Sequence, residues 1–158
     1  MKSLRYFLLT LFLCVGCNAL LAQKVITFKE LISISPYVQD YSDGEFYGYK
    51  FQDVPIVVKT LSKYRYVFDG NEFVPGAGVF STYSSPSSVI SLTDVSVSLI
   101  VYNINEYKKF LNQIVNSGFK KRNRSGYGSY YTNGRLDVDI STSRQNYTFN
   151  ISNHLNIW

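Results

Sequence analysis

Between residues 95 and 117 the spacing of apolar side chains changes from two residues to about 3.6. Val95, Val97, Leu99 and Val101 alternate with Ser96, Ser98, Ile100 and Tyr102, the pattern of a strand with one buried face. Tyr107, Phe110, Leu111, Ile114 and Val115 then recur on one face of a helix. Asn103 stands where a cap belongs, with Glu106 three residues on. Gly118 fits the left-handed position that closes such a helix, and Phe119 can fold back on Ile114. A strand running straight into a capped amphipathic helix restricts the chain to folds that layer helices on a sheet.

The rest of the second half extends that sheet. Residues 127–132 and 135–141 flank Asn133-Gly134, a two-residue hairpin signal. Leu136, Val138 and Ile140 are expected inward, Asp137 and Asp139 outward, and Tyr147, Phe149 and Ile151 form the last inward set. The first half is less regular. Thr27 caps a helix, Glu30 completes a capping box, and Ile26 and Leu31 form its hydrophobic staple. Pro36 is expected to end that helix after about two turns. Tyr41-Ser42-Asp43-Gly44-Glu45 reads as a turn, and residues 46–51 and 54–60 as strands, with Pro55 putting the second at an edge or a strand start. Asp69-Gly70 reads as a hairpin turn between residues 64–68 and 71–74. Pro75-Gly76-Ala77-Gly78 breaks the chain, residues 79–83 are extended, and Ser84-Ser85-Pro86-Ser87-Ser88 is a loop.

The expected fold is α+β: an antiparallel sheet meander covered on one face by two short helices, in a single domain over 23–158. A pair of divergent helix-plus-strands units, with a half boundary near 84–88, is a variant of it; the caps Thr27 and Asn103 stand 76 residues apart.

The first 22 residues read as an export signal. Met1-Lys2-Ser3-Leu4-Arg5 is positive, and the apolar run from Tyr6 to Gly16 makes a helix of about 16 Å, half of what a bilayer core needs. Ala22 before Gln23 suits ordinary cleavage and gives a periplasmic or secreted protein over a signal peptide of residues 1–22. Cys17 after Gly16 offers the alternative of a lipid-anchored form, against Cys14 and the apolar Ala19-Leu20-Leu21. Both cysteines lie in this leader, so the mature chain has no disulfide, no thiolate nucleophile and no cysteine-bound zinc. A thiol-free exported domain suits a Gram-negative envelope, where the sequons at Asn123, Asn146 and Asn150 are chance matches.

Removing 22 residues from 158 leaves 136, enough for one real core and no transmembrane segment. Loss of Lys2 and Arg5 lowers Lys+Arg from 16 to 14 against 11 acids, an excess too mild to argue for nucleic acid.

Chemistry-bearing patterns are sparse. The lone His154, five residues from the end, is expected as a solvated terminal side chain rather than the base of a Ser-His-Asp triad. Asp137 and Asp139, two apart on one strand face, could pair as in glycosidases; the plainer account is a polar strand face. Asp40, Asp43, Gly44 and Glu45 lack the ligand spacing of a calcium loop, and no phosphate-binding glycine motif occurs. No cofactor and no metal is expected.

One cluster stands out: Lys120-Lys121-Arg122-Asn123-Arg124 with Tyr127, Tyr130 and Tyr131. Arginine forks take carboxylate or phosphate, and tyrosine faces stack on sugar rings, so Arg122, Arg124, Tyr127, Tyr130 and Tyr131 are the candidate binding residues. The competing account is an edge strand kept from aggregating by its charges.

Asn105-Glu106-Tyr107 through Gly118-Phe119, Tyr130-Tyr131-Thr132-Asn133-Gly134 and Val138-Asp139-Ile140-Ser141-Thr142-Ser143 resemble a group of small exported bacterial proteins with no assigned activity. The resemblance spans about a third of the chain and concerns fold motifs, so it implies no functional residue. The expected function is a non-enzymatic envelope protein that binds a protein or glycan through an exposed aromatic and basic sheet surface. Its alternatives are a polysaccharide hydrolase using the strand carboxylates, or an inhibitor or immunity protein. An outer-membrane barrel fits poorly, because Ser152, His154 and Asn156 stand in phase with Trp158 and the helix after Asn103 has no place in a barrel wall.

Overall fold

The structure, a computed structural model, describes residues 24–39, 55–74, 78–93, 96–124 and 128–154. The expected leader, the expected turn at Tyr41-Ser42-Asp43-Gly44-Glu45, the expected strand over 46–51 and Tyr127 lie outside the described residues. Two helices come first, α1 (Phe28–Gln39) and α2 (Pro55–Lys63), followed by strands β1 (Val67–Val74), β2 (Gly78–Ser85), β3 (Ser88–Leu92) and β4 (Ser96–Val101). Helix α3 (Ile104–Asn116) leads into β5 (Lys120–Arg124), β6 (Gly128–Thr132), β7 (Leu136–Thr142) and β8 (Tyr147–Asn153). All eight strands form one antiparallel sheet in the order β1-β2-β3-β4-β8-β7-β6-β5. The fold is α+β, with two four-strand meanders whose last strands, β4 and β8, meet at the centre.

Cross-strand pairing sorts the side chains onto two faces. One row runs Tyr83, Ile90, Leu99, Phe149, Ile140, and the next Leu92, Val97, Ile151, Val138, Tyr131. Both rows face the core, which α1 supplies with Phe28, Leu31 and Ile34 and α3 with Phe110 and Ile114. Helix α1 packs on β4, β8, α2 and α3. Aromatic rings tie helices to sheet. Phe28 meets Phe110 and Phe119 edge to face at 5.7 and 5.1 Å, Phe110 meets Phe149 at 4.7 Å, and Tyr107 stacks on Tyr147 at 4.6 Å. The N–H of Phe28, an orphan of the first turn of α1, donates to Gln113 Oε1 of α3 at 2.9 Å.

Local signals in the second half act as the sequence predicts. Asn103 Oδ1 accepts the Asn105 N–H at 2.7 Å. Past α3, Gly118 takes φ 85°, Gly118 N–H donates to Val115 O and Phe119 N–H to Ile114 O, a Schellman closure with Phe119 and Ile114 both buried. Thr27 caps α1, accepting the Glu30 N–H at 3.3 Å.

Several expectations are corrected. Three helices occur among the described residues, not two, because residues 55–60, expected within a strand, are helical. The buried set there is Val57, Leu61 and Tyr64, four and three apart, while Ile56 and Val58 are exposed. Pro55 takes the first helical position, where its missing N–H costs nothing. Helix α1 continues through Pro36 to Gln39, since proline there removes only the bond to the Ile32 carbonyl and the buried turns before it hold the helix. Asp69-Gly70 is not a hairpin. β1 runs through it with a bulge between Phe68 and Gly70, Gly70 at φ 132° and Asp69 Oδ2 accepting the Ser84 hydroxyl at 2.6 Å. The β6–β7 turn sits one residue later than expected, at Gly134-Arg135, with Asn133 N–H donating to Leu136 O and Gly134 at φ 86°. That places glycine first in the turn. The serine-rich stretch around Pro86 and Ser87 is the tight turn joining β2 to β3. No helix among the described residues is long and apolar enough to cross a membrane.

Glu30 joins α1 to α2. Its carboxylate accepts from the Thr27 hydroxyl at 2.6 Å and also from Tyr64 and Lys63. Burial pushes this carboxyl up, but those hydrogen bonds, with the charge of Lys63, outweigh it and hold it at about 2. A depressed carboxyl contributes stability above its unfolded value of 4.5 that is lost as pH falls towards 2. Urea unfolding across that acid window should show a slope that Glu30→Gln flattens. The effect is small because solvent reaches the cluster. Parallel curves for the two proteins would exclude this role.

Candidate functional site

The face of the sheet opposite the helices carries a second set of rows. Thr82, Ser91, Ser98, Asn150, Asp139, Tyr130 and Arg122 lie one per strand in a single row from β2 to β5. Ser96, Ser152, Asp137, Thr132 and Lys120 form the row beside it. Most members of the first row are half-buried, and Ser98 donates to Asn150 Oδ1 at 2.8 Å. This open face is polar and built of small side chains at its centre, becoming charged towards β5.

Strand β5 is an edge, and its charged run suits an edge that must not pair with another chain. Period two splits the run. Lys120, Arg122 and Arg124 share the open face with Tyr130, whereas Lys121 pairs with Tyr131 on the helix side. Tyr131 packs against the core, so the structure does not bring it to the surface that carries Arg122 and Tyr130. Tyr127 is outside the described residues. Arg124 is already committed: Nη2 donates to Asp137 Oδ2 at 2.9 Å and the guanidinium lies 4.4 Å from the Tyr130 ring centroid.

Asp137 holds a second group. Its Oδ1 meets His154 Nδ1 at 2.7 Å, and the His154 N–H donates to the Arg135 carbonyl at 2.8 Å. The Asp137 side chain is 2% exposed, against 26% for Arg124 and 25% for His154. A carboxyl group so buried needs hydrogen-bonding partners at its oxygens. Asp137 and Asp139 do share the outward face, as expected, yet Asp137 is sealed beneath its partners and only Asp139 stays in part accessible. His154 is no loose terminal side chain, because β8 carries it to the mouth of the β6–β7 turn.

Above this cluster lies a cleft of about 440 Å³. Lys120, Arg122 and Tyr130 form one side, Thr132, Asn133 and Gly134 the turn side, with Gly118 and His154 completing it. Among the described residues no acid lines it, and neither Lys120 nor Arg122 has a carboxylate partner. Its turn side is fixed: Thr132 Oγ1 donates to Leu136 O and accepts the Gly134 N–H, both at 3.1 Å, and Asn133 Oδ1 accepts from Arg135 and Leu136 N–H. The Thr132 hydroxyl, thus occupied, is not placed to attack a bond with His154 as its base. What the geometry offers is cations and donors around a concave space, groups whose chemistry is complementary to an oxyanion. Among the described residues no group of three His, Cys, Asp or Glu could hold a metal ion.

No protein-family model, curated protein or solved structure matches this chain.

Proposed function

We propose that this chain is an exported envelope protein, periplasmic or secreted, that binds an acidic partner, protein or glycan, through the open face of its sheet and does no chemistry on it. The observation that carries this reading is the unbroken polar row from Thr82 to Arg122, which ends in a cleft where, among the described residues, two cations have no carboxylate partner and no acid forms the lining. From β2 to β8 the row is serine, threonine and asparagine, side chains small enough for a partner to approach the backbone, before Asp139 and Tyr130 lead to Arg122. Lys120 and Arg122 then supply the charge that orients it. Export rests on the leader, with cleavage before Gln23 or acylation at Cys17.

The test is fractionation of the producing cell with three forms of the protein. Wild type should be recovered with the envelope, freed of Met1, and retained on it at moderate salt. Ser98→Arg, which plants a bulky group mid-row, and Arg122→Ala should fold with unchanged circular dichroism and be released about tenfold more readily. Retention unaltered in both variants, or protein with Met1 intact in the cytosol, overturns the reading.

A further inference from the structure

Lys120 and Arg122 occupy alternate positions on β5 and so face the cleft together, paired across the strands with Thr132 and Tyr130. His154 lines the same space with its ring held from behind. Asp137 accepts at Nδ1, which makes Nδ1 the protonated nitrogen and leaves Nε2 as the ring atom that can meet a ligand. The other oxygen of Asp137 is taken by Arg124, so the carboxylate is spent beneath the cleft and does not cancel the two cations lining it. Gly118 and Gly134, with φ of 85° and 86°, add no side chain to the lining. A volume of about 440 Å³ falls at the lower end of small-ligand sites.

We propose that this cleft is a binding site for a carboxylate or phosphate carried on a body the size of one sugar ring, the acid group held by Lys120 and Arg122 while Nε2 of His154 accepts from a hydroxyl of that body. The inference deepens the open-face reading by naming the ligand class, and it rests on that reading for its setting. Asp137 is the positioning residue: it fixes the imidazole and touches no ligand. Arg124 acts one step further back, by neutralising Asp137.

Calorimetric titration of the native protein at constant ionic strength tests this with three probes: glucuronate, glucose 6-phosphate and glucose. At least one of the two acids should bind saturably and glucose should not, the tighter acid deciding between carboxylate and phosphate. Arg122→Gln and Lys120→Gln should each weaken that acid about fivefold, the loss of one charge-assisted contact. His154→Gln should weaken it by less, the loss of one neutral hydrogen bond, and Lys108→Gln on α3 should change nothing. Should His154→Gln fail to fold, the two β5 variants still decide the matter, since neither side chain belongs to the Asp137 cluster. Absence of saturation with both acids, or wild-type affinity in both β5 variants, sinks the site. Acid binding lost while envelope retention persists removes only this inference, and the reverse pattern removes only the open-face reading.

Discussion

Phe28→Ala should destabilise the protein by about 3–5 kcal/mol, a large share of the roughly 5–15 kcal/mol that holds a domain of this size together. Phe28 is fully buried at the first turn of α1, and its ring meets Phe110 of α3 and Phe119 just beyond it edge to face. Truncation removes the buried ring and both aromatic pairs, and leaves a cavity between the helix of the first half and the helix of the second. The same residue anchors α1 through its N–H to Gln113, a contact that survives truncation and keeps the helix start in place. Urea unfolding should show a lower midpoint with an unchanged slope, still as one transition, because α1 packs on the central strands β4 and β8 as well. Phe28→Leu should restore more than half of the loss. A cost under about 1 kcal/mol would mean that α1 is not seated on the sheet as described.

The second half of the chain was readable because its signals are local. Alternation from Val97 to Val101, the Asn103 cap and the Gly118 closure depend on residues within one turn of each other, and each appears in the structure. The first half misled where one short pattern serves two structures. Val57 and Val58 look like strand residues, but burial picks out Val57, Leu61 and Tyr64, a helical spacing that shows only once the window is extended past Thr60. Asp69-Gly70 supplies a left-handed residue for a bulge as readily as for a turn, and pairing of both flanks with β2 decides the case.

The candidate site was legible in its composition and not in its arrangement. A basic run beside tyrosines names a surface, but which of its members share a face depends on register with β6, and that pairing sends Lys121 and Tyr131 to the helix side. The His154 contact needed one more step. Matching the inward sets Val138 and Ile140 to Ile151 and Phe149 sets Ser152 opposite Asp137 and brings His154 just past the strand pair. The alternation carried that information. The place of His154 near the chain end conceals it.

Arg124→Ala should cost about 2–3 kcal/mol, and most of the loss should return when Asp137→Ala is added to it. The two changes are unequal because the carboxylate is sealed while its partners reach solvent. Removing Arg124 leaves a buried charge with only the imidazole of His154 to answer it, and it also takes the guanidinium from the face of Tyr130. Removing Asp137 instead frees two cationic or neutral groups that water can rehydrate, so that single change should be the milder one. With both gone, no uncompensated buried charge remains, and the double variant should be more stable than Arg124→Ala alone. A double-mutant cycle by urea denaturation measures this directly, and a coupling of at least about 1 kcal/mol is expected. Strict additivity would show that Asp137 finds water in the folded state. In that event Arg124 would add nothing to the hold of Asp137 on the His154 ring, which would rest on that contact and on the bond to the Arg135 carbonyl.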